Sequence, residues 1–108
     1  MSAEIVLAEN KQYVSVKGEI TFTNAKALCE KGLLQMQEMQ EMQQIIFDFS
    51  AVIQSSSVAL ALLTAWTRAA KKQNKQIRFI HMPQSLLEVA RLSNLDRVLT
   101  LEAESTHG

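Results

Sequence analysis

Three consecutive hydroxyls, Ser55, Ser56 and Ser57, separate the apolar run "IIFDF" (Ile45 to Phe49) from the alanine-rich "VALALL" (Val58 to Leu63). Serines at such a junction can cap a helix, accept a phosphate, act as a nucleophile or meet another protein. Capping requires only one of them. A helix leaves its first four N–H groups unpaired, and one serine oxygen satisfies one of these at a value of about 1 kcal/mol. The other two fall on or just before the first turn, where amides and helix dipole suit a phosphate or a partner's carboxylate. A nucleophile needs a base beside it, and the sequence places none there. His81 closes a strand pattern and His107 lies in the C-terminal tail. Neither has a second histidine, cysteine or carboxylate at ligand spacing, so no metal site is expected. Cys29 follows Leu28 on a helical pattern with no histidine near it in sequence, and it reads as a small buried hydrophobe. Only three glycines are present, and they form neither a P-loop, a G-x-G-x-x-G turn nor a G-x-S-x-G elbow. Catalytic residues and cofactors are therefore expected to be none.

The chain around these residues has 108 positions, 47% of them hydrophobic and 20% charged, which fits one globular domain. At this length folding buries roughly 65% of the surface that the unfolded chain exposes, enough for a core without disulfides or a structural metal. Eleven basic residues balance eleven acidic ones, and no basic stripe interleaves with aromatics, so no nucleic-acid partner is expected. A single cysteine, and an N-terminus carrying Glu4 and Glu9, point to a reducing cytosol rather than export. "VALALL" is far shorter than the roughly 20 residues that cross a bilayer, so no direct membrane insertion is expected. Zero net charge leaves little repulsion between copies, which allows a homodimer.

The elements that would position the serines read as follows. "EIVLA" and "QYVSVKG" are short strands joined by a turn at "ENKQ", with Gly18 ending the second. "TNAKALCEKGLLQMQEMQEMQQ" is a helix capped by Thr23 or Asn24, with Ala25, Leu28, Gly32, Met36 and Met39 on one stripe. Its glutamine–methionine repeat is a plain amphipathic end, too short for a coiled coil and without hard metal ligands. "QIIFDF" (Gln44 to Phe49) lacks alternation and reads as a strand covered on both faces. "VALALLTAWTRAAKKQ" is a helix with Val58, Leu62, Ala65, Trp66 and Ala69 inward, and with Arg68, Lys71 and Lys72 complementing its dipole. "QIRFIHM" alternates as a strand, and Pro83 opens a helix over "PQSLLEVARLSNL" with Leu86, Leu87, Val89 and Ala90 turned largely inward. "DRVLTL" forms a last strand or turn, and "EAESTHG" a solvated tail. The fold class is α/β: a mixed β-sheet with helices packed on it and parallel central strands. Residues 1–101 are the domain and 102–108 the tail.

The stretch "IIFDFSAVIQSSSVALALLTAW" resembles the core signature of STAS domains, the sulfate-transporter and anti-sigma-factor-antagonist family. There a strand ends in D-x-S, a loop follows, and a D-S or D-T pair with small residues opens the second helix. Asp48 and Ser50 match the D-x-S, Ser57 falls at the phosphorylatable position, and Leu60 to Leu63 match the apolar helix start. Ser56 replaces the usual aspartate, and Val58 with Ala59 the usual glycines. The likeness continues through "AAKKQNKQIRFIHMPQSLLEVARLSNLDRVL", so it covers nearly the whole chain.

The resemblance implies a STAS (SpoIIAA-like) fold and a non-catalytic protein-interaction role. The helix "LALLTAWTRAAKKQ" is most similar to the MlaB-type subunit of the Mla phospholipid-transport ABC system, which binds and supports the ATPase subunit. That implies an ABC transporter ATPase as partner and a cytoplasmic location, peripheral at the inner membrane through that partner. A second role within the family is an anti-sigma-factor antagonist whose serine, here Ser57, is phosphorylated by a kinase partner. A third reading, outside it, is a small hydrolase with Ser57 as nucleophile. The expected partner-binding residues are the loop Ile53, Gln54, Ser55, Ser56 and Ser57 with Leu60, Ala61, Thr64 and Arg68 of the following helix. Val58, Leu62, Trp66 and Ala69 are expected to face the sheet.

Overall fold

The computed structural model describes residues 4–7, 13–39, 44–95 and 99–103. They form β1 (Glu4–Leu7), β2 (Val14–Ile20), α1 (Ala25–Glu38), β3 (Gln44–Ser55), α2 (Ala59–Lys72), β4 (Gln76–Met82), α3 (Gln84–Leu92) and β5 (Leu101–Ala103). The strands make one sheet in the order β1-β2-β3-β4-β5. β1 is antiparallel to β2, and every other neighbouring pair is parallel. Each of the three helical crossovers steps one strand along the sheet in the same direction. Right-handed connections of that kind place all three helices on one face. α1 accordingly packs on β1, β2 and α2, while α3 packs on α2 and β5.

One-sided coverage sets the burial. Ile45, Phe47 and Phe49 of β3 are buried, whereas Ile46 and Asp48 between them are half-buried. The expectation of a strand covered on both faces is corrected: the run lacks sequence alternation because Ile46, on the open face, is also apolar. β4 repeats the pattern with Ile77, Phe79 and Met82 inward, and its bounds are those expected. α1 buries Ala25, Leu28, Gly32 and Met36, with Met39 beyond its end, as the spacing predicts. The helix stops at Glu38 rather than running on to Gln44, and β3 starts at Gln44 as expected.

Asn24 occupies the N-cap position of α1 but forms no side-chain cap. Its Oδ1 accepts from the Thr21 N–H at 2.9 Å and its Nδ2 donates to the Glu19 carbonyl at 2.8 Å, which ties the turn leaving β2. Between α1 and α2 the chains approach closely at Gly32. Trp66 lies against it, stacks on Phe47 at 4.5 Å and donates its indole N–H to the Cys29 carbonyl at 3.1 Å.

Three strand ends differ from the sequence expectation. β2 does not end at Gly18 but continues to Ile20, and Gly18, at φ 95°, sits beside a shift in register with β3. That left-handed bulge is a conformation glycine adopts without strain. β3 runs to Ser55, six residues beyond Phe49. β5 takes in Glu102 and Ala103, which were expected in the tail: Ala103 pairs with Met82 of β4, and Glu102 meets Arg78 across the seam at 2.5 and 2.7 Å. The expected "ENKQ" turn, residues 40–43 of the glutamine–methionine repeat, residues 96–98 and the tail from 104 onward lie outside the described residues.

Candidate partner-binding site

The site begins where β3 outruns β4. β3 pairs with β4 as far as Asp48 opposite Ile80, but with β2 through Ile20 opposite Ser55. His81 is in the left-handed region at φ 57°, which turns β4 away from β3. Asp48 sits at this fork. Its Oδ1 accepts from the Ser50 N–H at 2.9 Å and lies 2.9 Å from His81 Nδ1. An ionised carboxylate only accepts, so Nδ1 carries the proton. Partial burial pushes the Asp48 carboxyl up, but the Ser50 amide, His81 and the Ser50 hydroxyl outweigh it and hold the group below the ordinary carboxylate range.

The sign of that shift gives a prediction. A carboxyl lowered on folding adds stability that is complete above its unfolded value of about 3.9 and is lost as pH falls through the lower folded value. Asp48→Asn should therefore be less stable than the parent near neutral pH, and the difference should shrink in denaturant melts taken through pH 4 and below. A difference that does not change with pH would mean that Asp48 contributes through shape alone.

Beyond the fork, Ala51, Val52, Gln54 and Ser55 pair with Lys17, Gly18, Glu19 and Ile20. Ile53 is the residue left out at the register shift, and it is 72% exposed. The chain leaves the strand through Ser56, whose N–H donates to the Ile20 carbonyl at 3.1 Å. Ser56 also makes the helix start: its Oγ accepts from the Val58 N–H at 3.3 Å and its carbonyl from Ala59 at 3.0 Å. Leu60 and Ala61 bond back to the carbonyls of Ser57 and Val58 at 3.0 Å, so the opening turn has the tighter three-residue spacing. Ser57 itself is exposed. Phe22, 76% exposed, stands just past Ile20 at the same end of the sheet.

Of the residues expected to meet a partner, the structure brings Ile53, Gln54 and Ser57 to the surface around this turn, with Ala61 and Arg68 exposed on α2. Ser55 supplies the last backbone pairing of β3 and Ser56 a turn just before α2; the expectation of a serine cap is corrected, since the N-cap position of α2 is Val58 and has no side-chain cap. Ile53, Gln54 and Ser55 are strand rather than loop. Thr64 is half-buried and donates to the Leu60 carbonyl at 2.9 Å. Leu60 is corrected: at 7% exposure it belongs to the core. The inward stripe of α2 is Ala59, Leu62, Leu63, Trp66, Thr67 and Ala70, with Leu60 at its flank, and Val58 and Ala69 are only half-buried.

The Asp48–His81 pair was not visible in the sequence. The two are 33 residues apart and meet only through the register of two parallel strands. Roughly 20 Å of extended chain separates Asp48 from the serine turn, so this pair supplies no base to Ser57. Burial, and then Glu30, push the Cys29 thiol up, which keeps it protonated and a poor nucleophile. Among the described residues, no three histidines, cysteines or carboxylates are grouped to hold a metal, and no helix is long and apolar enough to cross a membrane.

The family described as Mlab, STAS domain matches residues 4–101. The chain belongs to the STAS-domain family. No curated protein matches this STAS domain in sequence. Among solved structures it is similar to an anti-sigma factor antagonist from Mycobacterium paratuberculosis, at 22% identity and a TM-score of 0.73 over 93% of this chain and 85% of that one. It is also similar to the anti-sigma factor antagonist SpoIIAA in its unphosphorylated form, at 14% identity and 0.68 over 94% and 87%. A STAS-domain protein from Planctomyces limnophilus aligns at 16% and 0.64 over 97% and 92%. At these identities the likeness establishes the shared fold, a mixed sheet carrying helices.

Proposed function

We propose that this STAS domain is a non-catalytic interaction subunit that binds and supports the ATPase of an ABC-type phospholipid-transport complex of the Mla kind. The contact runs from Ile53 and Gln54 across the serine turn to Ala61 and Arg68. The observation that carries the reading is the division of labour among the serines. Ser56 provides the helix start, so the exposed Ser57 hydroxyl and the bulged Ile53 are not needed to hold the fold. An exposed aliphatic side chain beside an exposed amide and hydroxyl has the make-up of a small protein interface. The description of the matching family supports the choice of partner.

A second reading rests on the same exposed Ser57: an anti-sigma-factor antagonist released by phosphorylation there. A phosphate adds nearly two negative charges at the contact surface. Ser56, where the family pattern has an aspartate, weighs against it. Affinity capture of the tagged protein from its native cells, with mass spectrometry of its companions and of the serine peptide, separates the two. An ABC ATPase with unmodified serine supports the first reading; a kinase with phosphate on Ser57 replaces it by the second. Ser57→Glu is expected to abolish capture of the ATPase while leaving the melting temperature unchanged. Undiminished capture would move the interface elsewhere.

A further inference from the structure

From Ser50 to Leu87 the chain carries no acidic residue, while Arg68, Lys71, Lys72, Lys75 and Arg78 supply five of its eleven basic ones. In a chain of zero net charge this gathers basic residues from the last turns of α2 into β4. Lys71 and Lys72 complement the C-terminal dipole of α2, which accounts for their sign. It does not account for the hollow that Lys71 borders. A cleft of about 400 Å³ lies where β3 and β4 begin, lined by Lys71 and Lys75 with Thr67, Thr100, Gln44 and Gln76. A second hollow of about 280 Å³ shares Thr67 and Lys71 and adds Arg68, so the cationic lining continues along α2. Among the described residues, no carboxylate lines either one. Arg78 also lines the first, but Glu102 holds its guanidinium.

The donors select the ligand. Lys75 gives one N–H to the Met39 carbonyl at 2.7 Å, which leaves two of its three, and Lys71 is exposed. The lining groups come from α2, from the turn into β4, from the start of β3 and from the approach to β5. The two lysines, four positions apart at the end of α2 and in the turn after it, offer point charges that suit a compact tetrahedral oxyanion, whereas a planar carboxylate is matched by a free guanidinium fork. The volume falls within the range of small-molecule sites. We infer that this cleft binds a phosphate group carried on a small alcohol, as in a free phosphomonoester or the headgroup of a phospholipid. The cleft lies at the opposite end of β3 from the serine turn, and of the proposed contact residues only Arg68 borders the adjoining hollow.

The test uses the whole chain, with amide NMR during titration with glycerol 3-phosphate and co-sedimentation with phosphatidylcholine vesicles containing phosphatidylglycerol. Saturable shifts are expected at Thr67, Lys71, Lys75, Gln76 and Thr100. Lys71→Gln should weaken binding about tenfold, the loss of one charge-assisted hydrogen bond. Lys72→Gln removes the same charge from an exposed position outside the cleft and should leave affinity nearly unchanged. Saturation by glycerol 3-phosphate without vesicle recruitment identifies a free phosphomonoester as the source. Recruitment with the same dependence on Lys71 identifies a headgroup. Absence of saturable binding to both probes, or equal losses in the two lysine variants, would overturn the site and leave only diffuse charge.

Discussion

Trp66→Ala should lower the free energy of unfolding by about 3–5 kcal/mol, a large share of the roughly 5–15 kcal/mol that holds a domain together. Trp66 is fully buried, stacks on Phe47 at 4.5 Å and lies 6.5 Å from Phe79. Truncation opens a cavity at the centre of the helix face and strips the Cys29 carbonyl of its indole donor. The same contact explains the glycine at position 32. A Cβ there would lie 2.4 to 2.6 Å from Nε1, Cε2 and Cζ2 of Trp66, so Gly32→Ala forces the ring to move. Overpacking of this kind costs about 1–3 kcal/mol, offset in part by the better helix propensity of alanine, about 1 kcal/mol. Denaturant midpoints of the two single variants and the double variant decide the cause. On the Trp66→Ala background, Gly32→Ala should be neutral or stabilising, because only the propensity gain is left. Additive losses would mean that the indole is not what requires glycine.

Gly32 also marks the kind of information that the sequence carried and the kind it did not. Read locally, it is a weak point on a good helical stripe. The neighbour that explains it lies 34 residues downstream, on another helix. Where the signal was periodic and local, as in the alternation of "QIRFIHM" or the stripe from Ala25 to Met39, the strand and the helix stand where the spacing places them. The parallel order followed from crossover logic in the same way. Where pairing was decided by a distant backbone, local chemistry misled. "SAVIQS" has the polarity of a loop, yet β2 keeps pairing with it, because ladder bonds between backbones do not depend on side-chain polarity. The candidate site was half legible for the same reason. The spacing suggested that one serine would cap the helix, but the chain leaves β3 so late that Val58 takes the N-cap position and Ser56 only shapes the turn before it. The Asp48–His81 bond had no local signal at all.

The facing of α2 has the widest consequence for the interface, and two leucines test it. Leu62→Ala is expected to cost about 2–5 kcal/mol, since the side chain is 3% exposed on the inward stripe with Leu63 and Trp66. From spacing alone, Leu60 two positions earlier falls outside that stripe and would belong to a partner. Its 7% exposure places it in the same core cluster, so Leu60→Ala should lower the denaturation midpoint in the isolated domain. Ala61→Ser, at the neighbouring exposed position, should leave the midpoint unchanged. If Leu60→Ala proved neutral in stability but weakened partner capture, the helix would be rotated towards the surface that its spacing first suggested. The stable outcome for Ala61 together with the unstable one for Leu60 narrows the contact on α2 to Ala61 and Arg68. In the proposed interface the apolar contact is then left to exposed side chains outside the helix, Ile53 at the bulge and Phe22 at the same end of the sheet. The proposal therefore ties partner recognition to the pairing of β2 with β3, because the register shift beside Gly18 is what leaves Ile53 without a partner in β2 and exposed.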